Sequence, residues 1–240
     1  FMKLIIEENE QKMSESAMFI LLGAMMQDKR VNISLTSGRS PKILYEMMIP
    51  HVKDQEKFKD IQYYLFDENP YIDEEHGPNW NEMQDLFFKE AHIPNERIHI
   101  MNQDNWQDFD NDIRHAGGID VMIIGLGYDG HFCGNCPRCT PFDSYTYCID
   151  FKEKQAVNPS YKDRPRQPFT LTMGPKSLMR VHHLIMIVNG KEKAEIFKRF
   201  LDEPIHQDLP ATILKLHPNF TVICDQEAAS LINPENYKRI

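Results

Sequence analysis

No apolar run in the 240-residue chain approaches the roughly 18 residues that a membrane-crossing helix needs, and Met2-Lys3-Leu4-Ile5-Ile6 lacks the apolar core of a signal peptide. The chain therefore reads as cytoplasmic, with no membrane partner. Phe1 ahead of Met2 reads as the remainder of an expression tag, and the fold is expected to start at Met2. Cysteine is scarce and odd in number, five in all, which argues against a disulfide framework and suits a reducing compartment. Positive charge is in deficit: 27 Lys and Arg face 36 Asp and Glu, giving a net charge of -9. A global basic field for nucleic acid is thereby excluded, and any anionic ligand must be held by a local site. Internal repeats and shifts in composition are absent, so one α/β domain over residues 2–240 is expected.

What is present is an alternation of short apolar runs with longer helical patterns. Lys3–Ile6, Asn32–Leu35, Gln62–Phe66, Ile98–Met101, Val121–Ile124, Leu184–Val188 and Thr221–Cys224 read as strands. Helices are expected over Gln11–Met26, Pro41–Met48, Asn81–Ala91, Trp106–His115, Pro175–Arg180, Lys191–Phe200 and Pro210–Leu216. That rhythm predicts a doubly wound, mostly parallel sheet flanked by helices. Asp150–Pro168, with three prolines and five basic against three acidic residues, reads as a loop, either solvated or a lid over an anionic substrate.

Several polar segments follow strands and are expected to meet at one sheet edge, where open α/β folds bind ligands. Thr36-Ser37-Gly38-Arg39-Ser40-Pro41 offers hydroxyls, a flexible backbone and a guanidinium, the makings of an anion cradle. Asp67 and Glu68 end another strand, where two carboxylates can do acid and base work. Asp129-Gly130-His131 pairs an Asp with a His, the arrangement that orients an imidazole and holds its tautomer. Lys191 and Lys193 follow the turn Asn189-Gly190, and either can reach the same edge.

Two further patterns weigh less. Gly125-Leu126-Gly127-Tyr128-Asp129-Gly130 matches G-x-G-x-x-G, with Asp150 downstream for a ribose, but Gly134 and Pro137 interrupt the helix that a dinucleotide needs. Cys133, Cys136 and Cys139 form C-x-x-C-x-x-C beside His131, a spacing open to zinc or an iron–sulfur cluster; without a second pair, thiols in a tight loop with no metal are expected.

Taken together, Leu35–Pro41, Leu65–Glu68, Gly125–His131, Gly190–Ala194, and Leu209-Pro210-Ala211 followed by Leu214-Lys215-Leu216-His217-Pro218, resemble in order and spacing the family of glucosamine/galactosamine-6-phosphate isomerases and 6-phosphogluconolactonases. Asn135, Leu214–Pro218 and Ile93–Ile100 resemble its deaminase branch. The resemblance implies a sugar-6-phosphate substrate, no metal or organic cofactor, and a monomer or homo-oligomer. It further implies that Ser37, Gly38, Arg39, Ser40 and Lys193 hold the phosphate, that Glu68, Gly127 and Asn135 contribute to binding, and that Asp67, Asp129 and His131 do the chemistry. Under that reading His131, oriented by Asp129, opens the sugar ring, and Asp67 moves a proton from C2 to C1 before ammonia leaves. The family's ring-opening Glu is replaced here by Cys136, a neutral thiol at pH 7 that cannot supply a fixed charge. The alternatives are a lactonase, in which His131 activates water, and a non-catalytic sugar-phosphate-binding regulator.

Overall fold

The computed structural model describes residues 2–72, 74–150 and 166–237. Seven parallel strands form the central sheet in the order β1-β10-β9-β6-β2-β3-β5. They are β1 (Met2–Glu7), β2 (Asn32–Leu35), β3 (Gln62–Leu65), β5 (Ile98–Ile100), β6 (Val121–Gly125), β9 (His183–Val188) and β10 (Phe220–Asp225). Each strand predicted from apolar runs is present, with no end shifted by more than one residue. The expected doubly wound sheet is therefore the one the chain adopts.

Alternation along the strands explains why both faces are covered. Val121, Ile123, Ile185 and Ile187 share one core with Met13, Ala17 and Leu21 of α1 (Glu10–Met25) and Leu44 and Tyr45 of α2 (Lys42–Val52). Met122, Ile124, Leu184, Met186 and Val188 face the other way, onto Phe109 and Ile113 of α4 (Phe109–His115), Leu178 of α5 (Pro175–Leu178) and Phe197 and Phe200 of α6 (Ala194–Asp202). A strand buried on both faces must be apolar throughout, which is why these runs were readable.

Three expectations are corrected. The helix expected over Asn81–Ala91 is instead α3 (Pro78–Met83) followed by a π turn over Gln84–Phe88. The wider turn lets consecutive Phe87 and Phe88 both reach the core, which a regular helix spreads around its axis. Pro210–Leu216 is a 3₁₀ helix. A second, antiparallel sheet of three short strands, β4 (Asp67–Glu68), β8 (Phe169–Thr172) and β7 (Tyr147–Asp150), was not anticipated at all. Asp150 thus belongs to a strand and Arg166 bridges to Tyr71, while the rest of the expected lid loop, 151–165, lies outside the described residues.

Chain order fixes where ligands can go. After β2 the chain builds outward through β3 to β5, then returns to lay β6 on the other side of β2. The connections leave β2 and β6 in opposite directions, opening a crevice beyond their carboxyl ends.

Candidate active site

A cavity of about 410 Å³ occupies that crevice, within the range of small-ligand sites. Its lining includes Thr36–Pro41 after β2, Phe66 and Asp67 after β3, Gly125–Tyr128 and His131 after β6, and Asn189, Glu192 and Lys193 after β9. A larger cavity of about 670 Å³ opens beside β5, lined by Arg30, Tyr64, His76, Trp80 and His99 among others. It takes in part of the Ile93–Ile100 stretch but none of the candidate catalytic or phosphate-binding residues, most of which the crevice cavity gathers.

The cradle loop is anchored from below. Buried Tyr45 of α2 accepts a hydrogen bond from the Thr36 N–H (3.1 Å) and donates one to the Thr36 carbonyl (2.5 Å). Gly38 then turns with φ +102°, a backbone state that L side chains rarely adopt, so the loop curls back with Ser37 and Ser40 on the cavity wall. Arg39 lies at the rim, its guanidinium 2.9 Å from Glu192 Oε1.

Lys193 is held more tightly. Nearly buried, it donates to the Leu126 carbonyl (2.5 Å) and sits 3.5 Å from the centre of the Tyr128 ring. Burial lowers its pKa to about 8, with Asp129 and Glu192 opposing the shift. Lys191 is exposed and lines no part of the cavity.

The Gly127–His131 turn closes on itself. Gly127 N–H donates to the His131 carbonyl (2.8 Å), and Gly130 N–H to the Gly127 carbonyl (3.1 Å). A Cβ on residue 127 would lie 2.1 Å from His131 Nδ1, so glycine here makes room for the imidazole. Asp129 Oδ1 lies 2.6 Å from that Nδ1 and accepts from the His131 backbone N–H at 3.0 Å. Desolvation pulls the Asp129 pKa up, but the hydrogen bonds and charge of His131 outweigh it and hold it at about 2. With Nδ1 engaged, Nε2 is the ring atom left to exchange a proton with a ligand. No helix follows, so the G-x-G-x-x-G pattern has no helix N-terminus for a pyrophosphate.

Three residues expected to bind substrate do other work. Glu68 is 1% exposed, and its carboxylate turns away from the cavity to accept from the backbone N–H groups of Asn69 (2.8 Å), Asn79 (3.2 Å) and Trp80 (3.0 Å). Burial nevertheless pushes its pKa up to about 7 against those three donors. Asn135 is fully buried, donating to the Met173 carbonyl (2.9 Å) and accepting from Tyr147 Oη (3.0 Å). Together with Gly134 N–H on Thr172 Oγ1 (3.0 Å), it ties the histidine loop to the small sheet. The Gly127 N–H, spent on His131, is not available to a ligand.

The cysteines also differ from expectation. Cys136 and Cys139 form a disulfide, where free thiols had been expected; two adjacent C-x-x-C positions lie close enough to bond, with Cα atoms 5.8 Å apart. Position 136 therefore carries no titratable group. Cys133 is a free thiol on the cavity wall, pushed well above its ordinary pKa by burial and then by the Asp67 charge. Among the described residues, no group of three or more His, Cys, Asp or Glu side chains is arranged to hold a metal ion.

Sequence reasoning missed Asn79, on the first turn of α3, which donates to Asp67 Oδ1 (2.9 Å) and accepts from Ser37 Oγ (3.1 Å). It also missed Tyr128 and Glu192. Glu192 had a signal, lying between the two lysines singled out; Asn79, twelve residues past Asp67 in a polar stretch, had none.

Comparison with known proteins gives a consistent result. The chain is 31% identical to a glucosamine-6-phosphate deaminase of Shouchella clausii, covering 96% of this chain and 97% of that one. Among solved structures it resembles a monomeric glucosamine-6-phosphate deaminase (25% identity, TM-score 0.79, 96% of this chain and 100% of that one). It shares its fold with a 6-phosphogluconolactonase from Leishmania guyanensis (18% identity, TM-score 0.73, 97% and 99%). Residues 7–223 match the family model of glucosamine-6-phosphate isomerases and 6-phosphogluconolactonases, and the chain belongs to that family.

Proposed function

We propose that this chain is an aminosugar-6-phosphate deaminase, converting glucosamine-6-phosphate or galactosamine-6-phosphate to the ketose 6-phosphate and ammonia. The observation that carries the reading is a shared cavity: Asp67 and the Asp129-oriented His131 line the same space as the Ser37–Ser40 loop and Lys193. The full-length similarity to glucosamine-6-phosphate deaminases supports it. Ser37, Gly38, Ser40, Arg39 and Lys193 hold the 6-phosphate, leaving C1 and C2 as the reacting end. His131 Nε2 takes the proton of the anomeric hydroxyl and returns one to the ring oxygen, opening the sugar. Asp129, ionised down to about pH 2, balances the imidazolium throughout. Asp67 takes the C2 proton to give an enolamine and delivers a proton to C1; the resulting C2 iminium takes up water and expels ammonia.

One observation favours a second reading. The disulfide at Cys136 leaves no carboxylate where the resemblance implies a ring-opening Glu. A 6-phosphogluconolactonase needs no separate hemiacetal-opening step, since His131 would activate water against the lactone carbonyl and the ring oxygen would leave C1 as the hydroxyl of the open acid. Ammonia release from both hexosamine phosphates and acid release from 6-phosphogluconolactone, measured on one preparation, separate the two. Ammonia matched by ketose phosphate supports the deaminase; rapid acid release with no ammonia replaces it with the lactonase.

A further inference from the structure

We infer that Asn79 is a positioning residue that sets the orientation and ionisation of Asp67 and couples it to the phosphate loop. The inference rests on the reading of Asp67 as the base. Asn79 leaves the first turn of α3 and meets two other elements. Its Nδ2 donates to both the side-chain Oδ1 and the backbone carbonyl of Asp67, each at 2.9 Å. Its Oδ1 accepts from Ser37 Oγ at 3.1 Å.

Chemistry fixes which way the amide points. An ionised carboxylate only accepts, so the amide nitrogen must face Asp67 and the amide oxygen must face Ser37. The backbone of Asn79 is fixed in turn, because its N–H is bound by buried Glu68. Glu68 thus holds the turn, the turn holds the amide, and the amide holds the carboxylate of Asp67 in one rotation.

Two consequences follow for Asp67. Donation to the charged form favours ionisation, working against the groups that oppose it: the neighbouring Glu68 carboxylate and the apolar end of β3 at Phe66. The Cys133 thiol on the same wall adds no charge, Arg39 and Lys193 are cations lining the cavity, and the His131 imidazole lies there beside Asp129. A fixed carboxylate also keeps its oxygens aimed at one carbon pair, as a proton relay from C2 to C1 requires. Because Ser37 spends its hydroxyl hydrogen on Asn79, it can donate to a phosphate only by giving up that bond; ligand in the cradle and geometry at Asp67 are therefore linked through one amide.

The test is the pH dependence of kcat/KM for ammonia release by wild type, Asn79→Ala and Asn79→Asp. Asn79→Ala should move the acid limb up by about one pH unit, since one hydrogen bond to the charged form is lost, and should lower the plateau roughly tenfold, with kcat falling more than KM rises. Asn79→Asp, of equal size, should move the limb further, because two carboxylates then share one site; it also carries the comparison should Asn79→Ala fail to fold. An acid limb that stays where it is in both variants, with only KM raised, overturns the proposal. A wild-type protein that releases no ammonia overturns the deaminase reading instead. The Asn79 proposal is then decided without turnover, by infrared titration of the Asp67 carboxylate, isolated as the difference between each protein and its Asp67→Asn counterpart. A midpoint raised in Asn79→Ala supports it, and an unmoved midpoint refutes it.

Discussion

Replacing Gly127 by alanine tests the catalytic geometry with one added carbon. Gly127 does not have a positive φ, so its backbone accepts alanine, and the effect comes from the new Cβ alone. That atom would sit 2.1 Å from His131 Nδ1, whereas ordinary contact begins near 3.4 Å, so the ring must retreat by about 1.3 Å. Retreat on that scale breaks the 2.6 Å approach to Asp129 Oδ1 and removes the group that holds the tautomer. Misplacement of about 1 Å costs on the order of a hundredfold, so kcat/KM should fall at least that far. Stability should barely change, because the Asp129–His131 pair is half-exposed and such pairs contribute under about 1 kcal/mol. Gly23→Ala is the control: it lies within α1 with nothing within 4 Å of the added Cβ, and should stabilise by about 0.5–1 kcal/mol at unchanged activity. The measurements are ammonia-release kinetics and thermal melts. A Gly127→Ala enzyme within about threefold of wild type refutes the role given to the Asp129–His131 pair.

Other perturbations read separate parts of the account. Lys193→Ala should raise KM roughly tenfold to a hundredfold at pH 7, since a charge-assisted contact contributes about 1.5–3 kcal/mol; in wild type, affinity should weaken as pH rises through about 8, where the ammonium loses its proton, and the variant should lack that dependence. Glu68 has a folded-state pKa of about 7, above its ordinary 4.5, so its stabilising contribution is complete below about pH 4.5 and lost as pH rises through 7. Melting curves should therefore show wild type losing about 3 kcal/mol against Glu68→Gln across that window, and parallel curves would contradict the assignment. Alkylation of unreduced, denatured protein should label Cys133, Cys148 and Cys224 and spare Cys136 and Cys139; five labelled cysteines would refute the disulfide.

The parts of the fold legible in the sequence are those where one physical demand acts alone. Central strands such as Val121–Ile124 are buried on both faces and must be apolar throughout, so they announce themselves. Asp67–Glu68 makes a strand of only two residues by pairing with Leu171 and Thr172, more than a hundred residues away, and no local pattern encodes that partner. The same holds at the site. Ser37–Ser40 and His131 were visible because they are contiguous with strand ends. Asn79 was not, because its importance lies in what it touches across the fold. Glu68 and Asn135 read as ligand contacts because each follows a candidate catalytic residue in the sequence, whereas in the fold each is hydrogen-bonded to backbone groups that burial leaves in need of partners.

The fate of the C2 hydrogen tests the central claim most directly. Glucosamine-6-phosphate and galactosamine-6-phosphate deuterated at C2 are supplied to wild type and to Asp67→Asn, and products are followed by mass spectrometry and proton NMR. The account predicts that deuterium leaves C2 in step with ammonia release, reappearing at C1 or in solvent, and that Asp67→Asn stops both. Deuterium retained at C2 while the wild-type protein turns over a sugar phosphate, or loss of deuterium undiminished in Asp67→Asn, would contradict it.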